Sequence, residues 1–253
     1  MSLRNVDASQ TETQAEQMET VQQAMPAFPL YSAIIIGCLV LVYCFQIKAD
    51  GNSNFIAGGD NSIFLAGFDK PAFISGQYWR IFTGFTLHSG LMHLFFNCYA
   101  IYVLGKLVET LSNRAHLANI FPLAAIGGNI LSLIFLPDGI SVGASGGVTG
   151  FLGYLAVYGY KRRAILSNDF LKNMLFNIGF LALYGIVLYQ KIDNFGHLGG
   201  LLTGAIYGFI QISGDVYKDP RNISPKIKSA GLIALGITIL ISIFSVLVLS
   251  KII

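Results

Sequence analysis

In the run SVGASGGVTGFLG, residues 141–153, a serine at 145 stands among five glycines with apolar residues beyond it. A serine hydroxyl becomes a strong nucleophile when an adjacent base takes its proton, and histidine is the commonest such base. The chain has four histidines, and His197 lies one residue after the first of Gly196, Gly200, Gly204 and Gly208. His93 and Asn97 are spaced i, i+4, which puts them on one helix face. Nucleophilic attack on a carbonyl creates an oxyanion, which needs preformed donors. The His93 imidazole, the Asn97 amide and the backbone N–H of Ser145 at a helix start are three such donors. The macrodipole of that helix favours negative charge at the same place. Ser145 with His197 is therefore a candidate nucleophile and base for acyl transfer.

Each element also has a plainer reading. Serine is a preferred N-cap, so Ser145 can simply start a helix. Glycine ridges occur wherever helices pack closely, and an isolated asparagine such as Asn97 can join two helices. His88 reads as a holder of a loop end and His116 as a structural group on the opposite side. Gly143-Ala144-Ser145-Gly146-Gly147 matches G-x-S-x-G, but that elbow has meaning only on a strand-to-helix turn of a soluble sheet, and no such alternation is present. Asp193, four residues before His197, reads as an outer-loop residue too shallow to join a triad. Cys38, Cys44 and Cys98 fall inside apolar runs with no CxxC or Cys/His spacing, so no metal, disulfide framework or cofactor is expected.

The elements that must hold these groups are membrane helices. Apolar residues make up 54% of the 253 and charged ones 11%, against about 25% charged in ordinary globular chains. Seven runs near 30–47, 88–107, 116–136, 145–160, 171–190, 197–213 and 229–250 suit spans of ~20 residues. Residues 1–29 read as a polar cytoplasmic tail with neither a cleavable signal nor an arginine-rich transit segment. The segment 48–87 is too aromatic for a solvated linker and is expected to fold onto the protein or lie in the outer interface. Lys161, Arg162, Arg163, Lys218, Arg221, Lys226 and Lys228 fall on the same side as the tail, and the positive-inside rule makes that side cytoplasmic. The net charge of +3 requires no nucleic acid partner.

This topology starts spans two, four and six on the outer side, which brings His93, Asn97, Ser145 and His197 to one end of three helices running in the same direction. Ionisable groups inside spans are costly and suggest function. From Ser145 to Lys161 is roughly 24 Å at a rise of 1.5 Å per residue, less than the ~30 Å hydrocarbon thickness. Ser145 is therefore expected several ångströms below the outer boundary. Glycines at four-residue spacing on spans four and six allow close backbone approach in lipid, which would bring the hydroxyl and the imidazole within hydrogen-bond reach.

Taken together, Trp79-Arg80, His93-x-x-x-Asn97, Gly143-Ala144-Ser145-Gly146 with Gly150, and His197-x-x-Gly200-x-x-x-Gly204 occur in an order that resembles the rhomboid family of intramembrane serine proteases. The likeness covers roughly 30–213 as a six-span catalytic core, and 214–253 resembles the extra basic loop and helix of the six-plus-one type. It implies an all-α polytopic membrane bundle, a Ser145–His197 dyad, an oxyanion hole of His93, Asn97 and the Ser145 amide, and a first loop that carries Trp79-Arg80. It also implies single-span transmembrane proteins as substrates, which enter from the lipid bilayer between spans two and five. The implied setting is a bacterial plasma (inner) membrane with the site facing the extracytoplasmic side. Two positions depart from the pattern. Thr149 stands where an aromatic often supports the histidine, and Gln77 where a glutamate often precedes Trp-Arg. Two other classes stay open: an inactive rhomboid-like protein that binds membrane clients, and a transporter, which predicts polar groups near the midplane.

Overall fold

The computed structural model describes residues 28–51, 56–190, 192–215 and 217–252, so the expected 1–29 tail lies almost wholly outside the described residues. The chain runs through α1 (Leu30–Ala49), α2 (Asp60–Ala66), β1 (Phe68–Asp69), α3 (Lys70–Ile74), α4 (Arg80–Thr83), α5 (Leu91–Leu111) and α6 (Arg114–Phe135). It continues with β2 (Ile140–Ser141), α7 (Ser145–Lys161), α8 (Asn168–Val187), α9 (Asn194–Gln211) and α10 (Pro225–Leu249). The architecture is an all-α bundle of long helices, and the protein is an integral multi-pass membrane protein. Among the described residues, five helices, α1, α5, α6, α8 and α10, are long and apolar enough to cross a bilayer. The sequence suggested seven such spans; α7 and α9 occupy two of those places without meeting that criterion.

Their positions explain why. Gly147 and every residue from Thr149 to Leu155 on α7 are buried, so the helix is enclosed on all sides. An enclosed helix does not need bulky apolar side chains to face lipid, and α7 uses glycine instead. Its 17 residues span roughly 25 Å at 1.5 Å per residue, less than the ~30 Å hydrocarbon thickness. On α9 the buried residues are Gly196, Gly199, Gly200, Gly204 and Gly208, while Leu198, Leu202, Ile206 and Phe209 are exposed. The usual soluble pattern is inverted: large apolar groups face outward to lipid and the bare backbone faces the protein.

That bare face makes two seams. A Cβ added at Gly204 would lie 2.5 Å from the carbonyl carbon of Gly150 and 2.6 Å from its Cα, and one at Gly200 would lie 2.8 Å from the Gly146 carbonyl carbon. On the other flank, a Cβ at Gly199 would lie 2.5 Å from the Gly127 oxygen and 2.9 Å from the Gly128 Cα. The helix is thus clamped between α7 and α6. Lipid gives no hydrophobic drive for helix association, so this close van der Waals packing must supply it.

The start of α1 is satisfied from another helix. Pro29 cannot cap α1 with a side chain, and Glu109 of α5 serves instead, accepting from the Ser32 amide at 2.8 Å and the Ser32 hydroxyl at 2.7 Å. A carboxylate suits the partly positive helix start, and this contact joins α1 to the helix that carries His93 and Asn97.

The first loop folds onto the protein. Its Phe68 and Asp69 pair antiparallel with Ser141 and Ile140, and the Gly143 amide donates to the Gly84 carbonyl at 3.0 Å. The Arg80 guanidinium stacks 4.8 Å over Trp79 and donates to the Phe64 and Gly67 carbonyls. The Gln77 amide oxygen accepts from Arg80 Nε at 2.6 Å, so a hydrogen bond from the charged guanidinium to a neutral acceptor occupies the place of the missing ion pair. Trp79 meets Phe244 of α10 edge-on at 5.8 Å, and the Thr86 and Ser245 hydroxyls are 2.9 Å apart. Helix α10, which the sequence suggested was merely appended, packs against α1, α6 and the first loop and shares their apolar core.

Replacing Gly204 by Ala forces a methyl into backbone that cannot rotate away, and should destabilise the fold by about 1–3 kcal/mol. Gly236→Ala, where nothing lies within 4 Å, should be neutral or stabilising by up to ~1 kcal/mol. Thermal unfolding of the two purified variants in detergent compares them directly; equal midpoints would remove the seam as the source of stability.

Candidate active site

The nucleophile candidate is placed by the loop before it. After the β2 ribbon, Gly143 adopts φ +121, a conformation that L side chains rarely take, and this turns the chain into α7. Ala144 is the N-cap and contributes no side-chain bond, so Ser145 is the first helical residue and not the cap. Its hydroxyl is therefore not consumed in ending the helix. The amides of the first turn, including that of Ser145, have no acceptor inside the helix.

His93 and Asn97 lie against the Gly143 turn. The Ser89 amide donates to His93 Nδ1 at 3.4 Å, and the Ser89 hydroxyl lies 3.0 Å from the same atom. With Nδ1 accepting, Nε2 carries the proton, and it faces Gly143. A Cβ at Gly143 would lie 2.6 Å from His93 Cε1, 2.8 Å from Nε2 and 3.8 Å from Asn97 Nδ2. Glycine is thus required twice here, for its φ and for the ring above it. Asn97 Nδ2 donates to the His93 carbonyl at 3.0 Å, which uses one of its two hydrogens. His88 is fully buried with its ring 5.1 Å from that of His93, and its backbone is gripped at both N–H and C=O by the Gln46 amide. Gln46, buried in α1, escaped the sequence reading; a glutamine inside an apolar span was the available signal.

Ser145 and Gly146 of α7, Gly196 and His197 of α9, Asn129 of α6 and Gly143 line one small cavity of about 20 Å³, room for about one water. The two candidate groups thus face a common space. No hydrogen bond joins them among the described residues, and His197 Nδ1 is buried without a partner. Contacts of this kind are often loose in a free enzyme and tighten on substrate. Gly150, Gly200 and Gly204 lie along the seam below, and Trp79 and Arg80 lie apart in the first loop.

At the departure noted for Thr149, the hydroxyl donates to the Gly146 carbonyl at 2.9 Å, so it is spent on its own helix and does not support the His197 ring. One expectation needs correction. Asp193, expected in an outer loop, is the N-cap of α9 and lines the same cavity. Its carboxylate does not bond the imidazole. It accepts from the Gly196 amide at 2.7 Å, the Ser141 hydroxyl at 2.5 Å and the Ser132 hydroxyl. Ser141 in turn accepts from Lys70 Nζ at 2.9 Å. Burial pushes the Lys70 amine below its usual value, and the Asp193 charge works in the opposite direction.

A family model described as a rhomboid domain matches residues 75–214, which contain Trp79, Arg80, His93, Asn97, Ser145 and His197. The chain belongs to the rhomboid family. It is 35% identical over 142 residues to RHOMBOID-like protein 6, mitochondrial, of Arabidopsis thaliana, covering 53% of this chain and 44% of that protein. It is 33% identical over 136 residues to RHOMBOID-like protein 1 of the same plant, covering 53% of this chain and 34% of the relative. Rhomboid protease GluP of Bacillus subtilis (strain 168) is 29% identical over 180 residues, covering 70% of this chain and 34% of the relative. The chain thus matches a third to less than half of the length of these relatives.

Gly143→Ala adds a methyl where His93 lies and where the backbone disfavours any side chain. It should lower the rate at which a fluorophosphonate labels Ser145 by about tenfold or more, as expected when an oxyanion donor is displaced. Wild-type labelling in that variant would separate His93 from the cavity.

Proposed function

We propose that the protein is an intramembrane serine endopeptidase that cuts transmembrane proteins near the outer end of their spans. The observation that carries this reading is the single cavity shared by Ser145 and His197 at the starts of two glycine-packed helices, with His93 over Gly143 at its edge. The name of the Bacillus relative, a rhomboid protease, supports it.

In this reading the Ser145 hydroxyl oxygen attacks the scissile carbonyl carbon while His197 takes the hydroxyl proton through Nε2, since Nδ1 is enclosed. The carbonyl electrons move to oxygen, and the resulting anion is met by the Ser145 amide, His93 Nε2–H and the free Asn97 N–H, at the positive end of α7. The C–N bond then breaks and His197 passes the proton to the leaving amine. Water attacks the acyl ester, His197 takes its proton, and the hydroxyl of Ser145 is restored. A dyad without a buried acid suits a membrane interior, where an ionised carboxylate is costly.

Substrate reaches the cavity from the lipid bilayer past α8. Only 11% of that span is buried, against 56% for α6, so it is the least tightly held wall. A helical peptide bond is hydrogen-bonded and must unwind first, so segments with Gly or Pro near the cut should be preferred. We place the site on the extracytoplasmic side of a bacterial plasma membrane, following the Lys and Arg residues gathered at the other end.

A second reading, an inactive rhomboid-like protein that binds membrane clients, is favoured by the absence of a hydrogen bond between Ser145 and His197. Cleavage of a single-span reporter in proteoliposomes separates the two. Ser145→Ala and His197→Ala should each abolish it at wild-type expression, and Asn97→Ala should slow it by about 10²–10³. Full cleavage by Ser145→Ala would end the protease reading, whereas a wild type that neither cleaves nor takes up fluorophosphonate would favour client binding.

Orientation is tested apart from activity. Alkaline phosphatase inserted within 136–139 should be active and within 163–167 inactive; the reverse pattern would turn the protein over in the membrane.

A further inference from the structure

Lys70 is among the largest fully buried side chains of the protein, with 1% of its surface exposed, yet it belongs to the first loop and lies outside the cavity. A buried ammonium is costly unless it is paired and hydrogen-bonded. Its backbone and its side chain both reach the segment before the nucleophile: the Lys70 amide donates to the Gly139 carbonyl at 3.3 Å and Nζ to the Ser141 hydroxyl at 2.9 Å. Ser141 has one hydroxyl proton, and it goes to Asp193 Oδ2 at 2.5 Å. Asp193 Oδ1 accepts from the Gly196 amide at 2.7 Å, and the Asp193 carbonyl accepts from the His197 amide at 3.0 Å. One serine thus sits between a buried cation from the first loop and the carboxylate that starts the helix of the candidate base. It also lies four residues before Ser145.

We propose that Lys70, Ser141 and Asp193 form a positioning relay that locks the first turn of α9, and with it His197, to the segment carrying Ser145. Hydrogen bonds to ionised groups are the strong ones, and removing one charge of a buried linked pair strands the other. The relay answers how His197 is held when Thr149 is turned to its own backbone. The ring needs no direct partner if the turn that bears it is fixed on both sides, by the glycine seams and by this charge-assisted chain. Asp193 and Lys70 are positioning residues in this scheme, since neither touches the imidazole or the reacting atoms.

The catalytic part rests on the protease reading, so the test also uses a readout independent of cleavage. Asp193→Asn keeps an acceptor for the Gly196 amide but removes the charge, and Lys70→Met removes the cation with its stem retained. In the full chain in detergent, each should speed amide exchange at 194–198 while leaving 225–249 unchanged. Each should lower kcat on a transmembrane reporter about tenfold with KM within about twofold, as expected for misplaced catalytic groups. The double variant should be no worse than the worse single one, because both cut the same chain, and Lys70→Arg should restore most of kcat. Wild-type exchange at 194–198 in Lys70→Met, or losses that multiply in the double variant, would overturn the relay. If wild type cleaves nothing, the protease reading falls and the exchange data alone decide the relay. If Lys70→Met does not fold, Ser141→Ala, which removes the shared hydroxyl and leaves both charged groups in place, is used instead under the same criteria.

Discussion

At Gly150 and Gly204 the backbones of α7 and α9 meet with no side chain between them, and a single added carbon at either position would collide with its neighbours. In lipid, the outward faces of these helices gain nothing by burial, so contact area and close approach must hold them together. Glycine is the residue that lets a helix offer its backbone as that contact, at a cost in helix propensity of about 1 kcal/mol each. The same packing encloses most of α7, lets it be short, and brings Ser145 and His197 to one cavity.

The seam sets the distance between two helices but does not by itself fix the turn at either end. That task falls to the first loop, which pairs with 140–141, holds the Gly143 amide through the Gly84 carbonyl and buries Lys70 against Ser141. Helix α10 presses on the same loop through Phe244 against Trp79 and Ser245 against Thr86. Arg80 fastens the loop internally and never approaches the cavity. This end of the bundle is thus a polar, hydrogen-bonded network of backbone and buried charge. Below it the contacts turn to glycine, phenylalanine and leucine.

Much of this was legible in residue order. Long apolar runs, glycines every fourth position and a histidine beside the ridge led to the bundle, the seam and the placing of Ser145 and His197 at one end, where both line one cavity. The reading went astray where a side chain had two uses open to it. Ser145 was an equally good N-cap on paper, but Ala144 is the cap; Thr149, which stands where an aromatic often supports the histidine, bends its hydroxyl back to the Gly146 carbonyl. Asp193 looked too shallow because the start of its helix was placed at His197 rather than at Asn194.

Periodicity and composition depend on neighbours a few residues apart, and those were enough to point to a polytopic helical protein and to the helix faces that must meet. Lys70, Ser141 and Asp193 are separated by tens of residues and belong to three different segments, so no local pattern relates them. Only the folded chain could decide that they share one hydroxyl, that the last helix braces the first loop, and that the enclosed helix would be the least lipid-like of the long ones. The reason is that buried polar groups are selected by what they face after packing, and what they face is not encoded in their spacing.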